Sequence, residues 1–368
     1  MSKSIAFYLA DQNPHRDRSL GITSITKTLI GGLAELPNYI LSQIVSQSSF
    51  TYDDARIQKH TLPWRTDNSK IQRLLTDNLH PLYLQKIPAD IWFYPKGYLP
   101  YLTKPKGITV GLMHDTLLQH YADKYPQFRS KADMAYWINI LKTSMKKCDY
   151  VLTVTENAKK QITDVCDRYN IPRPIIHVTY EASDFETLEP SNFKDKGNYV
   201  IHLASEQPHK CTLPLLKFWK QLSETRKDLP DLHLIGKICP ESKKLVASMK
   251  GIVQKSHLPE DVFVDEIRKA RALLFPSESE GFGLPAIEAY YLNTPVVFVE
   301  GTSVAEIMEK DTKAGEFSLS SFDSFNKALD NVLSLTPEEI SESREKLLDR
   351  FSKKRYLQAV DKALASIN

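Results

Sequence analysis

Short apolar runs separated by longer amphipathic stretches set the rhythm of this chain. Ile5 to Leu9, Asp90 to Tyr94, Ile108 to His114, Tyr150 to Val154 and Ile175 to Val178 are mostly apolar and bounded by polar, Pro or Gly residues. That is the pattern of strands buried on both faces. Between them, helical periodicity runs from about Ile22 to Leu36 and from about Lys131 to Lys147, and Thr155 offers a capping oxygen to a helix that begins at Glu156. The polar, acid-rich stretch Glu181 to Lys196 interrupts the alternation and reads as a linker. Alternation restarts with Tyr199 to Leu203, continues through Ala272 to Phe275 and Val296 to Val299, and gives way at Pro337 to charged helix. Strand and helix in this order predict an α/β fold with two doubly wound parallel sheets, whose ligands sit at the carboxyl ends of strands.

Length supports two cores, since 368 residues exceed what one ordinary core holds. The expected domains are residues 1–188 and 197–349, with a C-terminal segment of about 350–368 left over. An apolar content of 42% with 25% charged residues is ordinary for a soluble protein. The apolar stretch after Lys3 is too short for a signal peptide, and no run approaches the roughly 18 residues of a membrane span, so a cytoplasmic location is expected. Cys148, Cys166, Cys211 and Cys239 show no C-x-x-C spacing and read as reduced thiols rather than a zinc site. Residues 1–188 carry 23 Lys and Arg against 18 Asp and Glu, whereas the remainder is net negative by two. The basic excess suits an anionic partner or peripheral contact with a membrane surface. Trp92 to Lys106, aromatic and basic, reads either as a packed strand with its following loop or as an interfacial segment. Nothing forms the basic aromatic platform of a nucleic-acid binder.

The densest chemistry lies in Glu280-Gly-Phe-Gly-Leu-Pro-Ala-Ile-Glu288, two carboxylates around a glycine loop that opens a helix. Gly281 and Gly283 let the backbone approach a ligand, and the N–H groups from Phe282 through Leu284 to Ala286 are expected to face it with the positive end of the helix dipole. A phosphate suits that position, and carboxylates accept paired hydrogen bonds from sugar hydroxyls. Taken singly, each acid reads as a solvated surface residue. Asn293 before Thr294-Pro295 is expected to close the helix, because Asn tolerates the left-handed conformation.

Pro276 to Ala289 resembles the E-x7-E signature of the retaining glycosyltransferases of family 4, which have the GT-B fold of two Rossmann-like domains facing each other across a cleft. His257 to Ala272 and Leu232 to Gly236 are similar to the family's flanking helix and strand, and Pro295-Val-Val follows where relatives have Gly-x-Pro-Val-Val, with Asn293 in place of the Gly. The resemblance implies transfer of a hexose from a GDP- or UDP-linked donor, with retention of configuration, to a glycan or lipid-linked acceptor, and without a metal or other cofactor. It implies catalytic roles for Glu280, Lys210 and His114. Donor contacts are implied for Gly21, Ser205, Lys210, Glu280, Phe282, Gly283, Leu284 and Glu288, with Glu288 on the ribose. Lys210 stands in Pro208-His209-Lys210-Cys211, where relatives carry Pro-Arg-Lys-Asn; Ala204-Ser205 replace a common Gly-Arg, so one phosphate-binding Arg is missing. His114, at a strand's carboxyl end, reads as a sugar-pocket residue or as a structural His held by Asp115 or backbone. His15, Arg16 and Arg18 are weaker candidates for an anionic acceptor. The resemblance implies that the C-terminal helix returns to the first domain. A non-catalytic sugar-nucleotide-binding subunit, an epimerase and a phosphorylase remain as alternatives.

Overall fold

The computed structural model of the protein describes residues 2–12, 20–63, 83–101, 104–256, 258–308 and 314–367. His15, Arg16, Arg18 and His257, and Leu102 and Thr103 of the aromatic run, lie outside them. The chain forms two units: residues 1–181 together with 353–368, and residues 182–352.

Among the described residues the first unit carries seven strands, β1 (Lys3–Tyr8), β2 (Tyr39–Val45), β3 (Gln58–Thr61), β4 (Ile91–Tyr94), β5 (Ile108–Met113), β6 (Tyr150–Thr153) and β7 (Ile175–Val178). They run parallel in the order β3-β2-β1-β4-β5-β6-β7. The order reverses between β1 and β4. Trp92, Phe93 and Tyr94 of β4 are all but fully buried, and the Trp92 indole N–H donates to Lys106 O at 2.9 Å. These rings are therefore core, which corrects the interfacial reading for them: a central strand covered on both faces has no side to give to a lipid surface. Ser130 caps the helix Lys131–Lys147 by accepting from Asp133 N–H, and Thr155 caps Glu156–Arg168 by accepting from Ala158 N–H at 3.0 Å. The helix Lys353–Ala365 packs against the helix Leu20–Ala34, and Gly32 presses directly on Leu357, where any Cβ would collide. Tyr39 donates its hydroxyl to Asp361 at 2.6 Å, and Lys3 Nζ reaches the carbonyls of Leu364, Ala365 and Ile367.

The second unit repeats the plan with β8 (Tyr199–Ala204), β9 (Asp231–Gly236), β10 (Ile252–Lys255), β11 (Leu273–Phe275), β12 (Val296–Val299) and β13 (Glu316–Phe317). All pair in parallel in the order β10-β9-β8-β11-β12-β13. This is the 3-2-1-4-5-6 order of a doubly wound nucleotide-binding sheet, with its switch point between β8 and β11. Trp219, Leu274 and Phe325 centre its core. The stretch expected to be a linker lies largely in this unit, as two 3-10 turns capped by Ser183 and Asn192. Lys196, half-buried, donates to Arg268 O, Ala270 O and Thr294 Oγ1, closing the carbonyl end of the helix Glu260–Lys269. Among the described residues no helix is long and apolar enough to cross a membrane.

Candidate active site

Both loops at the switch point of the second sheet carry candidate residues. After β8 the chain passes Ser205, makes a 3-10 turn at Pro208–Lys210, and enters the helix Thr212–Thr225 through Cys211 at φ 50°. That left-handed backbone is why Asn suits the same place in the resembling Pro-Arg-Lys-Asn run; Cys211 carries the strain a Cβ imposes there. After β11 the chain runs from Pro276 through Glu280 to the helix Leu284–Tyr291. The loops touch directly. Glu278 N–H donates to His209 O at 2.9 Å, and Lys210 Nζ pairs with Glu280 Oε1 at 2.6 Å. Both side chains of this pair are partly buried, so solvent screens them less than an exposed pair.

Gly283 caps the second loop's helix at φ 98°, and a Cβ on it would lie 2.6 Å from Val304 Cγ2, so only glycine fits without strain. The turn is tighter than the sequence suggests. Ala286 N–H, expected to face a ligand, donates instead to Gly283 O at 2.9 Å, and Pro285 has no N–H, which leaves Gly283 and Leu284 as the first-turn donors of interest. The Phe282 ring is buried, edge-on against Phe351 with centroids 5.3 Å apart. Ser303 Oγ–H fixes the Glu280 carbonyl at 2.9 Å. Glu288, in the second turn of the helix, accepts from Ser183 Oγ–H at 2.7 Å. At the far end Asn293 takes φ 59°; its N–H bonds to Tyr290 O and Thr294 N–H to Ala289 O, a Schellman closure with Asn in the glycine position.

A buried histidine that the sequence reading missed sits under both loops. His202 Nδ1 lies 2.9 Å from Leu274 O on β11, and its Nε2 lies 2.9 Å from Thr212 Oγ1. A carbonyl only accepts, so Nδ1 carries the proton and Nε2 accepts from the threonine hydroxyl. Thr212 Oγ1 in turn accepts from Ser205 N–H at 3.1 Å, while Ser205 Oγ accepts from Gln207 N–H. Burial pushes the imidazole down to about 4; the Leu274 carbonyl opposes this and the Lys210 charge adds to it. The one available signal was a polar residue inside the apolar run Tyr-Val-Ile-His-Leu-Ala.

In the first unit His114 follows β5. Its Nδ1 lies 2.6 Å from Glu181 Oε1 and its Nε2 lies 3.1 Å from Pro95 O, so both ring nitrogens meet acceptors and both carry protons. Burial opposes this charge, but the Glu181 carboxylate and the Pro95 carbonyl outweigh it and raise the His114 pKa above its ordinary value. Asp115 Oδ1 accepts from Leu117 N–H and starts the next helix. Gly21 lies in the first turn of the helix Leu20–Ala34 rather than in a loop. Among the described residues no three His, Cys, Asp or Glu side chains gather as a metal-ligand set.

Two doubly wound parallel sheets, one presenting Lys210, Glu280 and a glycine-capped helix at its switch point, define an α/β protein of the GT-B fold. Residues 184–354 match the family model of Glycosyl transferases group 1. The chain is 29% identical over 208 residues to the O-antigen chain mannosyltransferase RfbU of Salmonella typhimurium, covering 53% of this chain and 52% of that protein. It is 25% identical over 253 residues to O-antigen chain mannosyltransferase B of Escherichia coli, covering 64% of each. The chain thus spans about half to two thirds of the length of these relatives. The solved structure of sucrose-phosphate synthase from Thermosynechococcus elongatus superposes over 99% of both chains with a TM-score of 0.74 at 12% identity.

Proposed function

We propose that the protein is a retaining glycosyltransferase that moves a hexose from a GDP- or UDP-linked donor to a glycan or lipid-linked acceptor in surface polysaccharide synthesis. Mannose is the first sugar to test. The observation that carries the reading is the Lys210–Glu280 pair across the two switch-point loops, beside a glycine-capped helix N-terminus and one helix with Glu288. A nucleoside diphosphate would replace the carboxylate as the partner of Lys210, with its charge met by the ammonium and by the N–H groups of Gly283 and Leu284. Glu280, released, would accept from the sugar hydroxyls, and Glu288 from the ribose. The family match over the second unit and the mannosyltransferase relatives support this assignment.

In this reading catalysis is electrostatic. As the bond from the anomeric carbon to the diphosphate breaks, Lys210 and the helix N-terminus stabilise the charge that builds on the leaving group. The acceptor oxygen forms its new bond on the same face, and its proton passes to the departing phosphate oxygen. The ammonium and helix dipole supply the positive charge, so the reaction is expected to run without a metal, in the cytoplasm, with peripheral contact to a membrane-borne acceptor.

The purified chain, incubated with GDP- and UDP-hexoses and a lipid-linked glycan, should release nucleoside diphosphate only when acceptor is present, and proton NMR should show the donor's anomeric configuration in the product. Lys210→Ala should lower turnover by roughly two to three orders of magnitude, more than it weakens donor binding. Glu288→Ala should weaken nucleotide affinity by about 1.5 to 3 kcal/mol in calorimetry. Nucleotide binding unchanged in a folded Glu288→Ala protein would sink the donor site.

A further inference from the structure

We propose that Thr212 and His202 are positioning residues that register the Lys210 loop against the Glu280 loop through one buried hydrogen-bonded relay. The proposal rests on the donor-site reading above and extends it to residues that touch no ligand. The relay runs without a gap from the amide of Ser205 to the threonine hydroxyl, through the imidazole, to the Leu274 carbonyl. One end is the first residue after β8, and the other is the middle residue of β11, whose next residues lead into Glu280. His202 and Thr212 are almost wholly buried, so water cannot substitute for a lost partner without rearrangement. β8 and β11 share one registered pair, Leu273 opposite Ile201. Backbone pairing between these strands is thus brief where the two loops diverge, and the imidazole carries the connection one residue further.

The consequence for the site is geometric. Lys210 and Glu280 meet at 2.6 Å from two different loops, and a rotation of either loop separates the ammonium that is to meet the diphosphate from the carboxylate that is to hold the sugar. Thr212 serves both loops because its hydroxyl accepts on one side and donates on the other, a pairing only a hydroxyl provides at this position. Serine keeps that function. Valine keeps the shape and removes it.

The test compares Thr212→Val and Thr212→Ser in the full chain, with UDP and GDP as calorimetric probes and amide hydrogen exchange at Ser205 as a readout independent of activity. Thr212→Val should speed Ser205 exchange and weaken binding of the nucleotide that wild type prefers by about tenfold, the scale of one lost buried hydrogen bond, with a larger fall in turnover. Thr212→Ser should restore both. Thr212→Val with wild-type nucleotide affinity and turnover overturns the proposal, whatever its melting temperature. If Thr212→Val speeds exchange but wild type binds neither UDP nor GDP, the donor-site reading falls, and the positioning role falls with it, leaving the relay as architecture alone.

Discussion

The buried imidazole of His202 makes the stability of the second unit depend on pH in a calculable way. Its folded pKa, about 4, lies below the ordinary value of about 6.5. Between those values the unfolded chain holds a proton on this residue and the folded one does not. Unfolding then takes up a proton, so His202 contributes stability that is fully present above about pH 6.5 and is lost as pH falls toward 4. At about 1.4 kcal/mol for each pH unit, the loss over roughly 2.5 units approaches about 3.5 kcal/mol, a large share of ordinary domain stability. Urea unfolding of the whole chain, followed by tryptophan fluorescence with Trp219 as the reporter kept in the second unit and Trp64, Trp92 and Trp137 replaced by Phe in both proteins, would measure it as the difference in pH slope between otherwise wild-type protein and His202→Gln. Carboxylate titration enters both proteins alike and cancels. The imidazole can also be followed directly by NMR in wild type, where its ring should stay neutral through pH 5. A His202 that titrates near 6.5 in the folded protein, or equal pH slopes in the two proteins, would refute the tautomer and the relay drawn from it.

The His114–Glu181 pair predicts the opposite slope for the first unit. Because the folded pKa of His114 is raised, its stabilisation is full below about pH 6.5 and disappears as pH rises through the folded value. Glu181→Gln should flatten that dependence in thermal melts, and a variant that keeps the wild-type slope would count against a charged pair. Gly283→Ala should destabilise by about 1 to 3 kcal/mol from left-handed strain alone, with further cost as Val304 moves, measured by denaturant midpoint. An unchanged midpoint would mean that the loop adopts another backbone. His114→Ala should slow sugar transfer while leaving nucleotide affinity nearly intact; transfer at the wild-type rate would confine His114 to its ion pair.

Buried parallel strands were legible because burial on both faces removes the alternation and leaves apolar runs, as in Ile-Trp-Phe-Tyr of β4 and Val-Val-Phe-Val of β12. The strand β3, Gln-Lys-His-Thr, was not, since it lies at the sheet edge with most of its side chains in solvent and carries no apolar signal. β2, Tyr-Ile-Leu-Ser-Gln-Ile-Val, also went unread: Ser42 and Gln43 interrupt its apolar residues, and Gln43 is buried only because its amide bonds to the backbone of Tyr52. Within the site, Lys210, Glu280 and Glu288 were singled out through the family resemblance rather than from residue type alone. Their partners were not. Ser183 is 105 positions from Glu288, and Leu274 is 72 from His202, separations that only the sheet order brings together. The tightness of the turn at Gly283, which consumes the Ala286 amide, is likewise a matter of backbone angle rather than composition.

The helix Lys353–Ala365 completes a unit whose other strands and helices all lie before Ala182. On a ribosome the N-terminal sheet therefore emerges first but waits, with the face around Gly32 uncovered and Lys3 without the carbonyls of Leu364 and Ala365. The continuous stretch from Ala182 to Ser352 has every strand of its own sheet before the last helix is made. Vectorial synthesis thus holds the first core open until the second unit has been made, and a chain released at Ser352 would expose apolar surface of the first unit.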